Sequence, residues 1–197
     1  MSYQTILDRI HTTVQPLIGD GKVASYIPEL AKVSPRHFGM AIVDLKGNVH
    51  AVGDAAMPFS IQSISKLFGL TLAFHLMGDS IWQRVGREPS GNPFNSLVQL
   101  EREAGKPRNP FINAGALVVT DMLCTRFVSA ENALVEFIRK LANNPQIHYN
   151  RKVAASERRT ADRNAAMAHF MKSFGNLNNS VDQVLDAYCR HCAIEMS

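Results

Sequence analysis

One stretch of the sequence decides the expected fold: Phe59-Ser60-Ile61-Gln62-Ser63-Ile64-Ser65-Lys66, followed by the apolar run 67–74. The apolar run predicts a buried helix that is entered at or near Ser63. Residues three apart on a helix lie on the same face, so Ser63 and Lys66 are expected to be neighbours at the helix N-terminus. A hydroxyl, a lysine that takes its proton and a positive helix end together form a catalytic Ser-x-x-Lys arrangement.

The Ser-x-x-Lys spacing is a weak signal when it stands alone. A serine near a helix start and a surface lysine on the first turn give the same spacing without any chemistry. An unperturbed lysine titrates near about 10.4, so a lysine that works as a base near neutral pH needs a lowered pKa. Burial of Lys66 against the apolar helix would lower it.

Length and composition favour a folded chain of one domain, or of one domain with two lobes. The chain has 197 residues, of which 46% are hydrophobic and 19% charged, with a net charge of +4. The basic residues are scattered, without an aromatic-interleaved basic stripe, so no nucleic-acid partner is predicted. Apolar runs are too short to span a membrane and the N-terminus lacks a signal-peptide pattern, so we expect a cytoplasmic protein without a membrane partner.

The three cysteines do not predict a disulfide framework or a metal site. Cys189 and Cys192 form a C-x-x-C pair, but the chain holds no second pair of ligands. Both cysteines share helical spacing with Val181, Val184 and Leu185. We therefore interpret them as core cysteines on an amphipathic helix.

Along the chain, periodicity predicts one β-hairpin and many helices. The hairpin is formed by 38–43 and 49–52 around a short loop containing Gly47. Irregular segments are expected at 86–93 and 105–115, where Asn113 occupies the position of an N-cap. Residues 23–30 are expected to be a short helical or irregular segment. The expected helices are 3–18, 81–85, 94–103, 116–126, 129–141 with Ser129 as cap, 162–174 and 180–196.

This pattern predicts an α+β chain that is mostly helical and short of strands. The last helix is expected to run to the end of the chain, and one hairpin is the only evident sheet material. An isolated hairpin is marginal in water, so strands that complete its sheet are expected to be missing. Glu157 and Asn164 are expected to be solvated, unless a helix begins early and places both on one face.

The chain resembles the serine-dependent glutaminases of the β-lactamase-like superfamily. The resemblance extends from about residue 3 to 197. It implies a partial β-lactamase/transpeptidase-like fold in one incomplete domain, with 1–62 as helix and hairpin of an α/β lobe and 63–197 as a helical lobe. It is carried by six ordered blocks, which are 21–28, 59–66, 86–91, 109–116, 156–164, and Tyr188 with Cys192.

The resemblance also implies an activity. The family hydrolyses the side-chain amide of L-glutamine to L-glutamate and ammonia without a metal or organic cofactor. Ser63 is then the nucleophile and Lys66 its base. The remaining matching positions are substrate contacts, among which Tyr26 would also assist proton transfer: Tyr26, Asn113, Glu157, Asn164 and Tyr188. A carboxylate suits the α-ammonium of glutamine, and amide and phenol donors suit its α-carboxylate.

The C-terminus departs from the family pattern. Family members are expected to continue for roughly a hundred residues, with a second catalytic tyrosine, half of the oxyanion hole and the rest of the sheet. Two interpretations stay open, a truncated and poorly active glutaminase, or a non-catalytic fragment or modulating subunit. A penicillin-recognising enzyme is disfavoured, since the N-terminus lacks a secretion-signal pattern. The resemblance implies a homo-oligomer, a dimer or a tetramer.

Overall fold

The computed structural model describes residues 2–197, and the backbone divides into two compact units. The first unit runs as far as Phe59 and includes Met196–Ser197, whereas the second comprises Ser60–Glu195. The expected organisation, one incomplete domain divided after residue 62, stays a prediction. Within residues 2–197, no helix is both long and apolar enough to cross a membrane.

In the first unit, helix α1 (Tyr3–Val14) packs on the hairpin. Leu7 of α1 is fully buried, and Gln4 Nε2 donates to the Ala51 carbonyl oxygen at 3.2 Å. Helix α1 ends at Val14 and is followed by a 3₁₀ helix (Gln15–Leu17) that contains Pro16. Proline has no N–H group, so it cannot continue the α-helical hydrogen bonds. The α-helix is therefore shorter than the expected 3–18.

The predicted hairpin is confirmed. Strands β1 (Gly39–Val43) and β2 (Val49–Gly53) pair antiparallel, from Gly39 opposite Gly53 to Val43 opposite Val49. The Asp44 carboxylate closes the connecting turn, since it accepts hydrogen bonds from the backbone N–H groups of Lys46 and Asn48. Residues 23–29 are irregular, which is one of the two expected alternatives, and a 3₁₀ turn follows at Leu30–Lys32.

The second unit is built mostly from helices. The predicted helix that Ser129 caps is confirmed, because its side chain accepts from Asn132 N. Residues 81–83 are the end of a 3₁₀ helix and residues 84–85 are a turn and a bend, so 81–85 is not a separate α-helix. The α-helices are α2 (Ser65–Met77), α3 (Val98–Arg102), α4 (Asn113–Arg126), α5 (Ala130–Ala142), α6 (Arg151–Arg159), α7 (Asp162–Ser173) and α8 (Val181–Cys192), and 3₁₀ helices occupy Gln62–Ile64 and Gly78–Gln83.

Helix α4 is the centre of the second unit. Every residue from Ala114 to Cys124 is buried, and α2, α5, α7 and α8 pack around it. Gly115 is required at its start, because a Cβ there would lie 1.9 Å from the Asn109 carbonyl oxygen. The loop that precedes α4 is thereby held against the helix, and this places Phe111 and Asn113.

The expectation that the last helix runs to the end of the chain was wrong. Helix α8 ends at Cys192 and does not run to Met196, and residues Ile194–Met196 form a strand, β5. The carbonyl oxygens of Ala193 and Ile194 accept from Asn150 N at 2.8 Å and Ile61 N at 2.9 Å. These long-range bonds satisfy the backbone after Cys192 and replace the helical ladder.

The expectation that the hairpin is the only sheet was also wrong. A second sheet has the strand order β3 (Phe59–Ser60), β5, β4 (His148–Tyr149). Strands β4 and β5 are antiparallel, with Tyr149 opposite Ile194. Strands of two or three residues carry too little alternation for a period of two to be recognised in the sequence.

His191 on α8 couples the stability of this unit to pH. The His191 side chain is buried, and its Nε2 has no hydrogen-bond partner within residues 2–197. Burial lowers the pKa of His191 to about 4, although a backbone hydrogen bond with Ala130 and the charge of Glu131 raise it. An unfolded histidine titrates near 6.5. Protonation below that pH therefore favours the unfolded chain.

We predict that the free energy of unfolding falls by about 2 kcal/mol as the pH is lowered from 7.5 to 5, because His191 is protonated in the unfolded chain and not in the folded one. Urea titrations of His191→Asn should show a smaller acid loss of stability than the parent chain. His169→Asn, a change at an exposed position of α7, serves as the control. An equal acid loss in the parent and in His191→Asn, or an NMR titration of the imidazole with a midpoint above 6, would contradict the prediction.

Candidate active site

Ser63 lies in the tight 3₁₀ turn that leads into α2. The α-helix itself begins at Ser65, two residues later than Ser63. Gln62 has a φ of 46°, a left-handed conformation that a residue other than glycine rarely adopts. The Ser63 side chain is exposed, so the turn presents its hydroxyl to the outside of the second unit.

The strained turn is held by hydrogen bonds to the end of α8. Gln62 Nε2 donates to Ser60 Oγ at 2.8 Å and to the Cys192 carbonyl oxygen at 3.4 Å. Ser60 Oγ donates to the same carbonyl oxygen at 2.9 Å. These bonds offset the conformational cost at Gln62, which is about 1 to 3 kcal/mol for such a residue.

Lys66 is buried on the first turn of α2. Only 6% of the residue is exposed, and its Nζ lies 5.2 Å from the centre of the Phe94 ring. Nζ donates to Asn113 Oδ1 at 2.7 Å and to the Phe111 carbonyl oxygen at 3.1 Å. Among the residues that the structure describes, Ser63 is not a hydrogen-bond partner of this amine.

The environment of Lys66 favours a neutral amine. Burial lowers the pKa of Lys66, and only the Cys192 and Glu157 side chains oppose this effect. A neutral amine has two N–H groups and one lone pair. The two observed acceptors use both N–H groups of a neutral amine. The lone pair is then free to accept a proton from another group.

Asn113 was expected to cap α4, and this was wrong. Ile112 is the N-cap residue, and Asn113 is the first residue of the helix. Asn109 shapes the turn, because its Oδ1 accepts from Phe111 N at 3.0 Å and from Ile112 N at 3.1 Å. The Asn113 amide is therefore free to bind other side chains.

The Asn113 amide connects Lys66 to α7. Its Oδ1 accepts from Lys66, and its Nδ2 donates to Asn164 Oδ1 at 3.1 Å. Both ends of the amide are thus oriented. Because Asn164 uses its oxygen in this contact, its own amide N–H groups remain as donors beside the buried lysine.

Glu157 is buried, contrary to the expectation that it is solvated. It lies on α6, a helix that the sequence analysis did not predict, with 7% of the residue exposed. Burial raises the pKa of Glu157 to about 7, although the side chains of Cys192 and Gln62 and the charge of Lys66 lower it. Its Oε2 is buried without a hydrogen-bond partner in the part of the chain that the structure describes.

Helix α6 had a recognisable start signal in the sequence. Asn150 caps the helix, since its Oδ1 accepts from Lys152 N at 2.9 Å and Val153 N at 3.2 Å. Asn164 is half-buried and belongs to a different helix, α7. The expectation that Glu157 and Asn164 share one helix face if the helix begins early was therefore also wrong.

Tyr188 reaches the same cluster from α8, whereas Tyr26 belongs to the other unit. Tyr188 is 4% exposed, and burial raises its pKa well above the usual range. Tyr26 lies in the first unit, outside regular secondary structure, with 71% of the residue exposed. The predicted roles of these two residues stay predictions.

The structure gathers six of the seven predicted residues in the second unit. Lys66, Asn113 and Asn164 form one hydrogen-bonded chain. Glu157 and Tyr188 are both buried, and Cys192 is a buried free thiol, as are Cys124 and Cys189. Within residues 2–197, no group of three or more histidine, cysteine or acidic side chains is placed to hold a metal ion. Gln62, Phe94 and Cys192 also contribute contacts that sequence reasoning did not assign.

Comparison with known proteins gives consistent matches. The glutaminase family model matches residues 21–197. A glutaminase of Ralstonia nicotianae is 67% identical over 196 residues, which cover 100% of this chain and 64% of that protein. A glutaminase of Paraburkholderia phytofirmans is 62% identical over 197 residues, or 100% of this chain and 65% of its own length. The chain thus spans just under two thirds of the relatives it matches.

Solved structures agree over nearly the whole chain. The probable glutaminase ybaS superposes with a TM-score of 0.89 at 33% identity, over 98% of this chain and 62% of that one. Mglu in its glutamate form also gives a TM-score of 0.89, at 32% identity over 99% of this chain and 45% of that one. The expected α+β, mostly helical fold of the β-lactamase-like type is confirmed, and the chain belongs to the glutaminase family.

Proposed function

We propose that the protein hydrolyses the side-chain amide of L-glutamine, with Ser63 as nucleophile and Lys66 as its base. The observation that carries the proposal is the buried Lys66 amine, whose two N–H groups have fixed acceptors. Lys66 follows Ser63 by three residues across the start of α2, and Ser63 is exposed. Family membership supplies the reaction class, and the residue types supply the chemistry.

Acylation begins when Lys66 takes the Ser63 proton. Ser63 Oγ then attacks the side-chain carbonyl carbon of glutamine, and the C–N bond breaks as Lys66 returns the proton to the leaving nitrogen. Ammonia leaves, and a γ-glutamyl ester remains on Ser63. Water attacks the ester with Lys66 again as base, so that glutamate and the free serine are formed.

Glu157 is the proposed partner of the substrate α-ammonium group. Its Oε2 is buried without a partner within residues 2–197, which is costly unless a donor binds there. The α-carboxylate of glutamine is assigned to neutral donors, the amide N–H groups of Asn164 and the Tyr188 hydroxyl. Asn113 is hydrogen-bonded to both Lys66 and Asn164, so it links the proposed base to a residue proposed to bind the substrate. Tyr26 remains a proposed contact and proton-transfer group.

The quaternary state and the compartment are also proposals. We propose a cytoplasmic homo-oligomer, a dimer or a tetramer. Exposed apolar side chains on the hairpin, namely Val43, Leu45 and Val49, support self-association. The alternative, a non-catalytic chain that modulates other copies, is an outcome of the first test below.

We predict that Ser63→Ala lowers the release of ammonia from L-glutamine by at least about 1,000-fold, because the ester can no longer form. Ser80→Ala, a serine change at an exposed position, should leave the rate unchanged. Mass spectrometry of acid-quenched samples should find the γ-glutamyl adduct on a peptide that contains Ser63. Equal rates in the parent and Ser63→Ala would contradict the nucleophile.

The same measurements distinguish the catalytic from the modulating alternative. They are made on two proteins, the 197-residue chain and a fusion. In the fusion, this chain is followed by the C-terminal part of the Ralstonia nicotianae glutaminase, beginning where that protein's match to this chain ends. Turnover by the chain alone supports a self-sufficient site, and turnover by the fusion alone supports a site that needs more sequence. No turnover by either, while the relative itself is active, would overturn the proposal.

We predict that kcat/KM for L-glutamine falls about tenfold per pH unit below pH 7. Glu157 binds the ammonium group only when ionised, and burial raises its pKa to about 7, against the lowering effects of Cys192, Gln62 and Lys66. The bound ammonium group lowers that pKa, so kcat at saturating substrate should fall at a lower pH than kcat/KM.

Steady-state kinetics from pH 5.5 to 9 measure this difference. Glu157→Gln should raise KM strongly at every pH and remove the dependence of KM on pH. A KM that does not change between pH 8 and pH 6 in the parent chain would rule out Glu157 as the ammonium partner.

A further inference from the structure

Phe94 is an exposed aromatic residue beside a buried lysine. More than half of the residue, 57%, is exposed, whereas only 6% of Lys66 is exposed. The Lys66 Nζ atom nonetheless lies 5.2 Å from the centre of the Phe94 ring. The ring therefore lies at the boundary between the amine and the solvent, and not in the hydrophobic core.

The start of helix α4 fixes the position of Phe94. Phe94 lies in the irregular segment 91–97, and its carbonyl oxygen accepts a hydrogen bond from Asn113 N at 2.9 Å. Asn113 is the first residue of α4, so its N–H group has no acceptor within the helix. The Asn113 side chain accepts from Lys66. One residue thus binds both the backbone of Phe94 and the amine beside its ring.

The groups around the Lys66 amine differ in their effect on it. The Phe111 carbonyl oxygen and Asn113 Oδ1 accept its N–H groups. The Phe94 ring offers no such acceptor, and it takes the place of water on its side of the amine. Exclusion of water favours the neutral amine, whereas the face of an aromatic ring attracts the charged one. The ring therefore has two opposing effects on the protonation of Lys66.

We infer that Phe94 is a positioning residue for Lys66, whose ring keeps water from the amine so that the lone pair stays available for the Ser63 proton. The inference rests on the proposed function for the role of Lys66 as base. It requires water exclusion to outweigh the attraction of the ring for the charged amine. The titratable groups that raise the pKa of Lys66 are the Cys192 thiol on α8 and the Glu157 carboxyl on α6, and burial acts against both.

Two substitutions at residue 94 separate the two effects of the ring. Phe94→Leu keeps an apolar side chain over the amine and removes the aromatic face, so the pKa of Lys66 should stay the same or fall. Phe94→Ala lets water reach the amine, so that pKa should rise by at least about half a pH unit. If the aromatic face dominated, the pKa would fall in both variants. Because more than half of Phe94 is exposed, neither change removes a core side chain.

The experiment is a carbon-13 NMR titration of the 197-residue chain labelled at the lysine ε-carbons. The Lys66 signal is assigned by its loss in Lys66→Met. We expect a midpoint below the usual lysine range in the parent chain, an unchanged or lower midpoint in Phe94→Leu, and a higher midpoint in Phe94→Ala. Phe74→Leu and Phe74→Ala, changes of another exposed phenylalanine that packs on Trp82, should leave the midpoint unchanged.

A midpoint that falls or stays fixed in Phe94→Ala would overturn the inference, and so would a midpoint that rises equally in Phe94→Leu. In the chain or the fusion that hydrolyses L-glutamine, Phe94→Ala should lower kcat at pH 7 by at least about threefold, the change in the neutral fraction of Lys66 for half a pH unit. An unchanged kcat despite a raised midpoint would also overturn the inference. The NMR titration needs no turnover, so proteins that never hydrolyse glutamine overturn the proposed function separately.

Discussion

The burial of one ammonium group, that of Lys66, is the constraint on which the arrangement of the second unit depends. A charge removed from water costs several kcal/mol unless its surroundings replace the lost hydration. Here the replacement is incomplete, since Nζ has a carbonyl oxygen, an amide oxygen and an aromatic face but no carboxylate in hydrogen-bond contact. The amine is therefore pushed towards its neutral form, which is the form that the proposed proton transfer from Ser63 requires.

The acceptors of Lys66 are held in place by two loops that support each other. Gly86 N and Glu88 N donate to the carbonyl oxygens of Pro107 and Arg108 at 2.8 and 2.9 Å. A Cβ on Gly86 would lie 2.6 Å from the Arg108 carbonyl oxygen, so this close approach depends on glycine. The two irregular segments that the sequence predicted thus form one rigid support for Phe111 and Asn113.

Features determined by local sequence could be predicted, and features determined by distant contacts could not. The hairpin depends on a turn closed by Asp44, and α5 depends on the Ser129 cap, and both signals are local. The burial of Glu157 depends on the packing of α6 against α8, which brings together residues about thirty positions apart. Likewise β5 depends on distant donors, because Ile61 N donates to the Ile194 carbonyl oxygen and Asn150 N donates to that of Ala193, just before the strand. The last residues therefore looked helical until these partners were known.

The predicted site residues illustrate the same difference. The spacing of Ser63 and Lys66 was visible in one turn of sequence, but the acceptors that bind the Lys66 amine come from α4 and its preceding loop. Glu157 and Lys66 are buried in one core without a direct hydrogen bond, and each opposes the effect of burial on the pKa of the other, raising that of Lys66 and lowering that of Glu157. The Glu157 Oε2 atom has no hydrogen-bond partner within residues 2–197, so it still lacks a donor. The site is therefore organised by groups whose interactions are left unfinished within the second unit, and the sequence alone cannot reveal this before the helices are packed.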